Sequence, residues 1–269
     1  MSMTPLLPAW QNKNKIVIGM LHLPALPGSP QARLSFSEIR DRLLRDTEML
    51  ARGGVDGLMM ENFGDVPFFP GRVPAHVVAA MTALACEVRR AADLPLGINV
   101  LRNDGRSALA IAVSSNAAFI RVNVLCGARV TDQGLIQGIA HDLLRDRTLL
   151  KADAVKIMAD VDVKHSTALA ERPLEDEVDD LVHRAMADAI VVSGAGTGKK
   201  TDPEKAHRVK ATAPTTPVFI GSGITPETVT SFSDCADGFI IGTALKVAGI
   251  AANAVEAERV RRLMDAIRK

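Results

Sequence analysis

The chain has 269 residues, 47% of them hydrophobic, and its 32 Lys and Arg offset 31 Asp and Glu to a net charge of +1. A (β/α)8 barrel of about 250 residues accounts for that length, so one domain spanning residues 1–269 is expected. Balanced charge, 3% aromatics and no Tyr argue against a nucleic-acid partner, and no run reaches the ~18 apolar residues of an integral membrane segment.

Taken in chain order, short apolar runs alternate with segments of helical period. The strand Ile16–His22 precedes the helix Phe36–Gly53, and Leu58–Phe63 precedes Pro74–Ala92. Leu96–Leu101 is followed by Asp104–Ser115, Phe119–Val124 by Gln133–Arg147, and Val155–Asp162 by Leu174–Ala187. The last three pairs are Ala189–Ser193 with Pro203–Ala213, Pro217–Gly221 with Pro226–Ser233, and Gly238–Gly242 with Ala254–Ile267. Strict alternation of this kind means parallel strands joined by crossover helices. Eight units favour a closed α/β barrel, the (β/α)8 or TIM barrel, over an open sheet. Asp202-Pro203 and Thr225-Pro226 each set a capping residue before a proline, the start signal of a helix. Met1 to Trp10 lacks a basic segment leading into an apolar one, so no signal peptide is read. Cys86, Cys126 and Cys235 are too sparse and too few for a disulfide framework, which points to reduced thiols and a cytoplasmic location.

In such barrels the site lies at the C-terminal ends of the strands, with phosphate held by the loops after the seventh and eighth. The seventh strand ends in Gly221-Ser222-Gly223 before the expected helix at Thr225-Pro226, and the eighth in Gly242-Thr243. Glycines let backbone N–H groups approach an anion, and a helix start adds free donors. These turns are the candidate phosphate cup. After the sixth strand comes Ser193-Gly194-Ala195-Gly196-Thr197-Gly198-Lys199-Lys200. It is not a Walker A loop, because Ser193 replaces the first glycine and Lys200 replaces the Ser or Thr. Gly194, Gly196 and Gly198 also lack dinucleotide spacing. Gly194, Thr197 and Lys199 are read as a loop closing over the ligand.

Buried parallel strands are ordinarily apolar throughout, yet five here carry polar groups. Alternation puts Arg121 with Asn123, Asn99 with Gly97, Glu61 with Met59, and Lys156 with Met158, Asp160 and Asp162. Lys156 lies about 13 Å below Asp160 along an extended strand, which suits an ion-pair partner better than a Schiff-base amine. Lys164 and His165 lie nearer the mouth. Glu61, Asp160 and Asp162 are candidate acids or bases, or else members of a salt-bridge network with Arg121 and Lys156. No cofactor is expected. A divalent metal on Asp160, Asp162, Glu61 and His22 is the alternative left open, without a compact ligand motif to support it.

Several segments together resemble the BtpA family, which takes its name from a photosystem I biogenesis protein. They are Ile18-Gly19-Met20-Leu21-His22-Leu23-Pro24, Pro27-Gly28-Ser29-Pro30, Glu61-Asn62-Phe63-Gly64-Asp65 and Asn99-Val100-Leu101-Arg102-Asn103-Asp104. Phe119-Ile120-Arg121-Val122-Asn123-Val124, Thr131-Asp132-Gln133-Gly134 and Ala159-Asp160-Val161-Asp162-Val163-Lys164-His165-Ser166 continue the likeness to the two glycine turns. The resemblance implies a ribulose-phosphate-binding type of barrel and supplies no reaction. Some family members resemble components of sugar-utilisation systems. The phosphate end is also similar to tryptophan- and histidine-biosynthesis barrels, whose sequences lack the Glu61–Asp65 and Asp160–His165 segments.

The expected function is enzymatic, on a small phosphorylated ligand such as a sugar phosphate or nucleoside-like metabolite, by isomerase, lyase or hydrolase chemistry. Glu61, Asp160, Asp162, Lys164 and His165 would carry the chemistry. His22, Asn62, Asp65, Asn99, Arg102, Asn103, Arg121 and Asn123 would contact substrate, and Gly194, Thr197, Gly221, Ser222, Gly223, Gly242 and Thr243 its phosphate. The alternatives are a non-catalytic factor for assembly of a membrane complex and a phosphometabolite-binding regulator. Association into a homo-oligomer through helix faces is left open.

Overall fold

Eight parallel strands close into a barrel in the computed structural model of the chain, which describes residues 5–194, 196 and 200–268. They are β1 (Ile16–His22), β2 (Gly57–Glu61), β3 (Leu96–Asn99), β4 (Phe119–Val122), β7 (Lys156–Val161), β9 (Ala189–Val192), β10 (Val218–Gly221) and β11 (Gly238–Ile241). The closed order is β1-β11-β10-β9-β7-β4-β3-β2, so the fold is a (β/α)8 barrel. Around it lie α1 (Phe36–Gly53), α2 (Ala75–Ala91), α3 (Gly105–Ser115), α4 (Ala140–Leu149), α5 (Leu174–Asp179), α6 (Pro203–Thr212) and α7 (Ala257–Arg268).

Local chemistry explains the best-defined elements. Ser35 caps α1 in a reciprocal box with Glu38, and Gly54 ends it at φ +86°. Between these signals Ile39, Leu43, Thr47 and Leu50 fall on one face and bury against the barrel. Outward residues of the strands, such as Val17, Leu58, Ile98 and Ile120, are buried beneath helices in the main core. The barrel interior holds a second core of Ile18, Met20, Met59, Phe119, Met158, Val191 and Phe219. Leu6, Leu7 and Trp10 fold under it and close the bottom, where the Trp10 indole donates to the Asp56 carbonyl at 2.9 Å. Gly97 sits opposite Phe119, and a Cβ there would lie 2.1 Å from the Phe119 ring.

Three helices differ from expectation. The segment expected to open a helix at Gln133 instead forms a hairpin, β5 (Ala128–Thr131) with β6 (Gly134–Gln137), and α4 starts only at Ala140. Gly134, at φ +90°, suits the tight turn through Asp132 and Gln133. The short β8 (Ser166–Ala168) completes a three-stranded antiparallel sheet at the barrel mouth. The second difference is Pro226–Ser233, where only a 3-10 turn at Val229–Phe232 forms. Thr228 Oγ1 accepts from the Thr225 N–H at 3.0 Å and donates to the Gly223 carbonyl at 3.2 Å, and such local side-chain bonds compete with a helix. Finally, α5 passes at Asp180 into a wider turn that ends at Arg184, short of Ala187.

Candidate active site

Strand register gathers the polar residues at the C-terminal end of the barrel. His22 pairs with Glu61, Glu61 with Asn99, and Asn99 with Arg121 across β1 to β4, so the four side chains share one inward level. Arg121 meets Asp160 of β7 through Nε at 2.9 Å and Nη2 at 2.7 Å. Asn123 Nδ2 donates to the same carboxylate at 2.9 Å, and the Ser193 hydroxyl at 3.2 Å. Asp160 is thereby saturated, as a buried charge must be to be tolerated. Its carboxylate holds Arg121 in place. Glu61 is 4% exposed and accepts from Asn99 Nδ2 at 2.6 Å. His22 stacks on Phe63 with ring centroids 4.4 Å apart, and its Nε2 stands 4.0 Å from Glu61 Oε1. Burial, only partly offset by Glu61, lowers the His22 pKa from 6.5 to about 4, so the ring is neutral at pH 7.

One cavity of about 540 Å³ runs over this cluster and out between β10 and β11. His22, Glu61, Arg121 and Lys164 line its inner end, and Gly221–Thr225 and Gly242–Ala244 its outer end. Ser222 is held at φ +142°, a strained value for a side-chain-bearing residue, and Gly223 at +65°. Ser222 Oγ donates to the Gly196 carbonyl and Thr201 Oγ1 to the Ser222 carbonyl, each at 3.1 Å. The loop after β9 thus holds the turn after β10. A Cβ on Gly242 would lie 2.7 Å from His22 Cε1, so a glycine there lets the eighth-strand turn close on the histidine.

Other expected site residues fall elsewhere. Asp162 does not join the cluster: it is exposed, at φ +50°, and binds Arg129 at 2.8 Å and Lys205 at 2.5 Å on the rim. Burial raises its carboxyl pKa, but Lys205 and Arg129 outweigh that and hold it below the ordinary value. His165 is exposed, at φ +56°, and does not line the cavity. Asn62, Asp65 and Asn103 act on backbone. Asn62 Oδ1 accepts from Leu101 N–H at 2.7 Å, Asp65 from Leu26 N–H at 2.7 Å, and Asn103 Oδ1 from Val124 N–H at 2.8 Å. Arg102 Nη2 donates to the Lys164 carbonyl at 2.6 Å, fixing the loop that carries that lysine. Lys156 pairs with Asp188 at 3.6 Å, at the far end of β7 from Asp160. Gly194 directly follows Ser193 at the end of β9, whereas Thr197 and Lys199 lie outside the described residues. With Asp162 on the rim, the four candidate metal ligands do not converge; no group of three or more His, Cys, Asp and Glu suited to a metal occurs among the described residues.

Sequence reasoning passed over Ser193, Thr201 and two arginines. Arg259 and Arg262 of α7 reach the outer end of the cavity, paired with Glu256 at 2.8 Å and Glu227 at 3.0 Å. Their spacing of three on one helix face was the available signal.

Fold and site define a (β/α)8 barrel with an ion-lined cavity at its C-terminal mouth. The chain belongs to the BtpA family, whose model matches residues 13–269. An uncharacterized protein of Thermococcus kodakarensis is 44% identical over 253 residues, covering 94% of this chain and 95% of its own length. The photosystem I biogenesis protein BtpA of Synechocystis is 43% identical over 251 residues, covering 93% of this chain and 87% of its own. Among solved structures, KGPDC from Streptococcus mutans superposes with a TM-score of 0.59 at 13% identity, over 95% of this chain and 98% of its own. Thiamine phosphate pyrophosphorylase from Pyrococcus furiosus gives 0.57 at 12% identity, over 96% of each chain. At such identities the likeness carries the fold alone. No helix among the described residues is long and apolar enough to cross a membrane.

Proposed function

We propose that the protein is an enzyme acting on a small phosphorylated metabolite by acid/base chemistry, of isomerase, lyase or hydrolase type. The observation behind this reading is the continuity of the cavity, which joins Glu61, His22 and Lys164 to the two glycine turns without an intervening wall. The phosphate would rest on the turns at Gly221–Gly223 and Gly242–Thr243, where backbone N–H groups approach without side chains in the way. Glu61 would move protons at the other end, with neutral His22 beside it. Arg121, held by Asp160, would stabilise negative charge developing on substrate oxygens.

The test is thermal unfolding with inorganic phosphate, sugar phosphates and nucleoside monophosphates, repeated with Gly223→Asp. Asp tolerates a positive φ better than most residues and sets a carboxylate in the cup. A ligand at ~100 times its Kd adds about 2.7 kcal/mol, roughly 5–10 °C in Tm. A shift for one phosphorylated class, lost in the variant, supports the site and names the class to assay. A folded wild type that no phosphate stabilises would put a non-catalytic role ahead, such as the photosystem I biogenesis that the Synechocystis relative's name gives.

A further inference from the structure

Four of the six buried or half-buried lysines among the described residues have carboxylate partners. Lys156 has Asp188, Lys205 has Asp162, Lys210 has Asp237, and the fully buried Lys246 has Asp46 at 2.6 Å. A buried ammonium needs such a partner to offset its lost hydration. Lys15 instead donates to the carbonyls of Ser233 and Ala236, and Lys164 is the other exception. It lines the inner end of the cavity, yet among the described residues no carboxylate lies within 4.0 Å of its ammonium. Arg121 and Arg102 repel it, Glu61 and Asp160 attract it, and its own carbonyl is pinned by Arg102. Arg121 is in turn fixed by Asp160. Burial is the largest influence on its ammonium and, with Arg121 and Arg102, outweighs the pull of Glu61 and Asp160, which favours the neutral, nucleophilic amine.

We propose that Lys164 is a nucleophile that forms an imine with the carbonyl carbon of a phosphorylated ketone or aldehyde. The proposal rests on the phosphate-site reading and narrows it to carbonyl-bearing substrates. The amine lone pair attacks the carbonyl carbon, and the carbon–oxygen π pair moves to oxygen. One proton passes from nitrogen to that oxygen, relayed by the Glu61 carboxylate at the same end of the cavity. A second proton comes from solvent, the oxygen leaves as water, and nitrogen keeps one hydrogen in the protonated imine.

Wild-type protein would be incubated with dihydroxyacetone phosphate or glyceraldehyde 3-phosphate and reduced with sodium borohydride. Intact mass and peptide mapping give the readout, with thermal unfolding run on the same unreduced mixtures. The expected result is one adduct, heavier by the ligand less one oxygen atom, mapped to Lys164. Excess inorganic phosphate and Lys164→Arg should each cut its yield at least ten-fold. Mapping on the wild type answers the question even where the variant folds poorly. A thermal shift with no adduct, or with adducts spread over surface lysines, overturns the imine and leaves the phosphate site intact. Absence of both shift and adduct overturns the two together.

Discussion

The two ends of the barrel interior are built from opposite materials. At the bottom, Trp10 packs edge-on to Phe119 with centroids 5.8 Å apart and tilts against Phe219 at 6.2 Å, among methionines and aliphatic residues. At the top, on the same strands, Arg121, Asp160, Glu61 and Asn99 are equally buried but held by hydrogen bonds. On β4 the change takes two residues, from Phe119 to Arg121. An apolar plug gains stability from every contact, whereas an ionic layer recovers at best its desolvation cost. The lower half therefore stabilises the barrel, and the upper half keeps polar groups in place against that cost, as expected of a site.

The largest effects should come from breaking each half. Arg121→Met leaves the Asp160 carboxylate buried with only Asn123 and Ser193 as donors, and should cost about 3–5 kcal/mol in urea unfolding. Adding Asp160→Leu should restore much of that stability without restoring any phosphate-dependent shift. A double variant as unstable as the single one would mean that this layer holds the fold up and does not merely occupy it. Trp10→Ala should cost a similar 3–5 kcal/mol through the cavity it opens. Its ligand-induced shift should survive at a lower Tm, because the plug lies at the opposite end of the barrel from the cup.

A smaller effect separates the halves by pH. His22 titrates near pH 6.5 unfolded and near 4 folded, so the unfolded chain binds the extra proton between these values. Stability should be full above pH 6.5 and decline as pH falls toward 4, by on the order of 3 kcal/mol. His22→Gln should flatten that part of the profile. Wild type and variant with parallel profiles from pH 7 to 4.5 would show that the ring is not held neutral.

The halves also differed in how plainly the sequence announced them. All eight barrel strands were legible because strands buried on both sides are continuous apolar runs. Arg121, Asn123 and Asp160 stood out as polar interruptions of those runs, and alternation placed Arg121 and Asn123 on one face, where both meet Asp160. Loops were harder, because there the backbone is set by individual hydrogen bonds rather than by a period. Thr228 took the bonds that would have started a helix after Pro226, and Gly134 turned a segment read as helical into a hairpin. The roles of Asn62, Asp65 and Asn103 were hidden for the same reason, since nothing in a sequence shows that an amide or carboxylate will bind backbone across a loop.

Asp162 is the sharpest case, and it yields the smallest expected effect. Two residues past Asp160 on an extended strand it would face the cavity, but β7 ends at Val161 and a positive φ at Asp162 turns the chain toward Arg129 and Lys205. Asp162→Asn keeps the shape and suits the left-handed backbone. Asp162 itself is about half exposed and Arg129 keeps its pair with Glu177, so the loss should be about 1 kcal/mol. Thermal shifts with phosphorylated ligands should stay at the wild-type value, whereas Glu61→Gln, at the inner end of the cavity, should change them. Loss of the shift in Asp162→Asn with Glu61→Gln unaffected would move the working carboxylate from the barrel interior to the rim, and with it the boundary between the two halves.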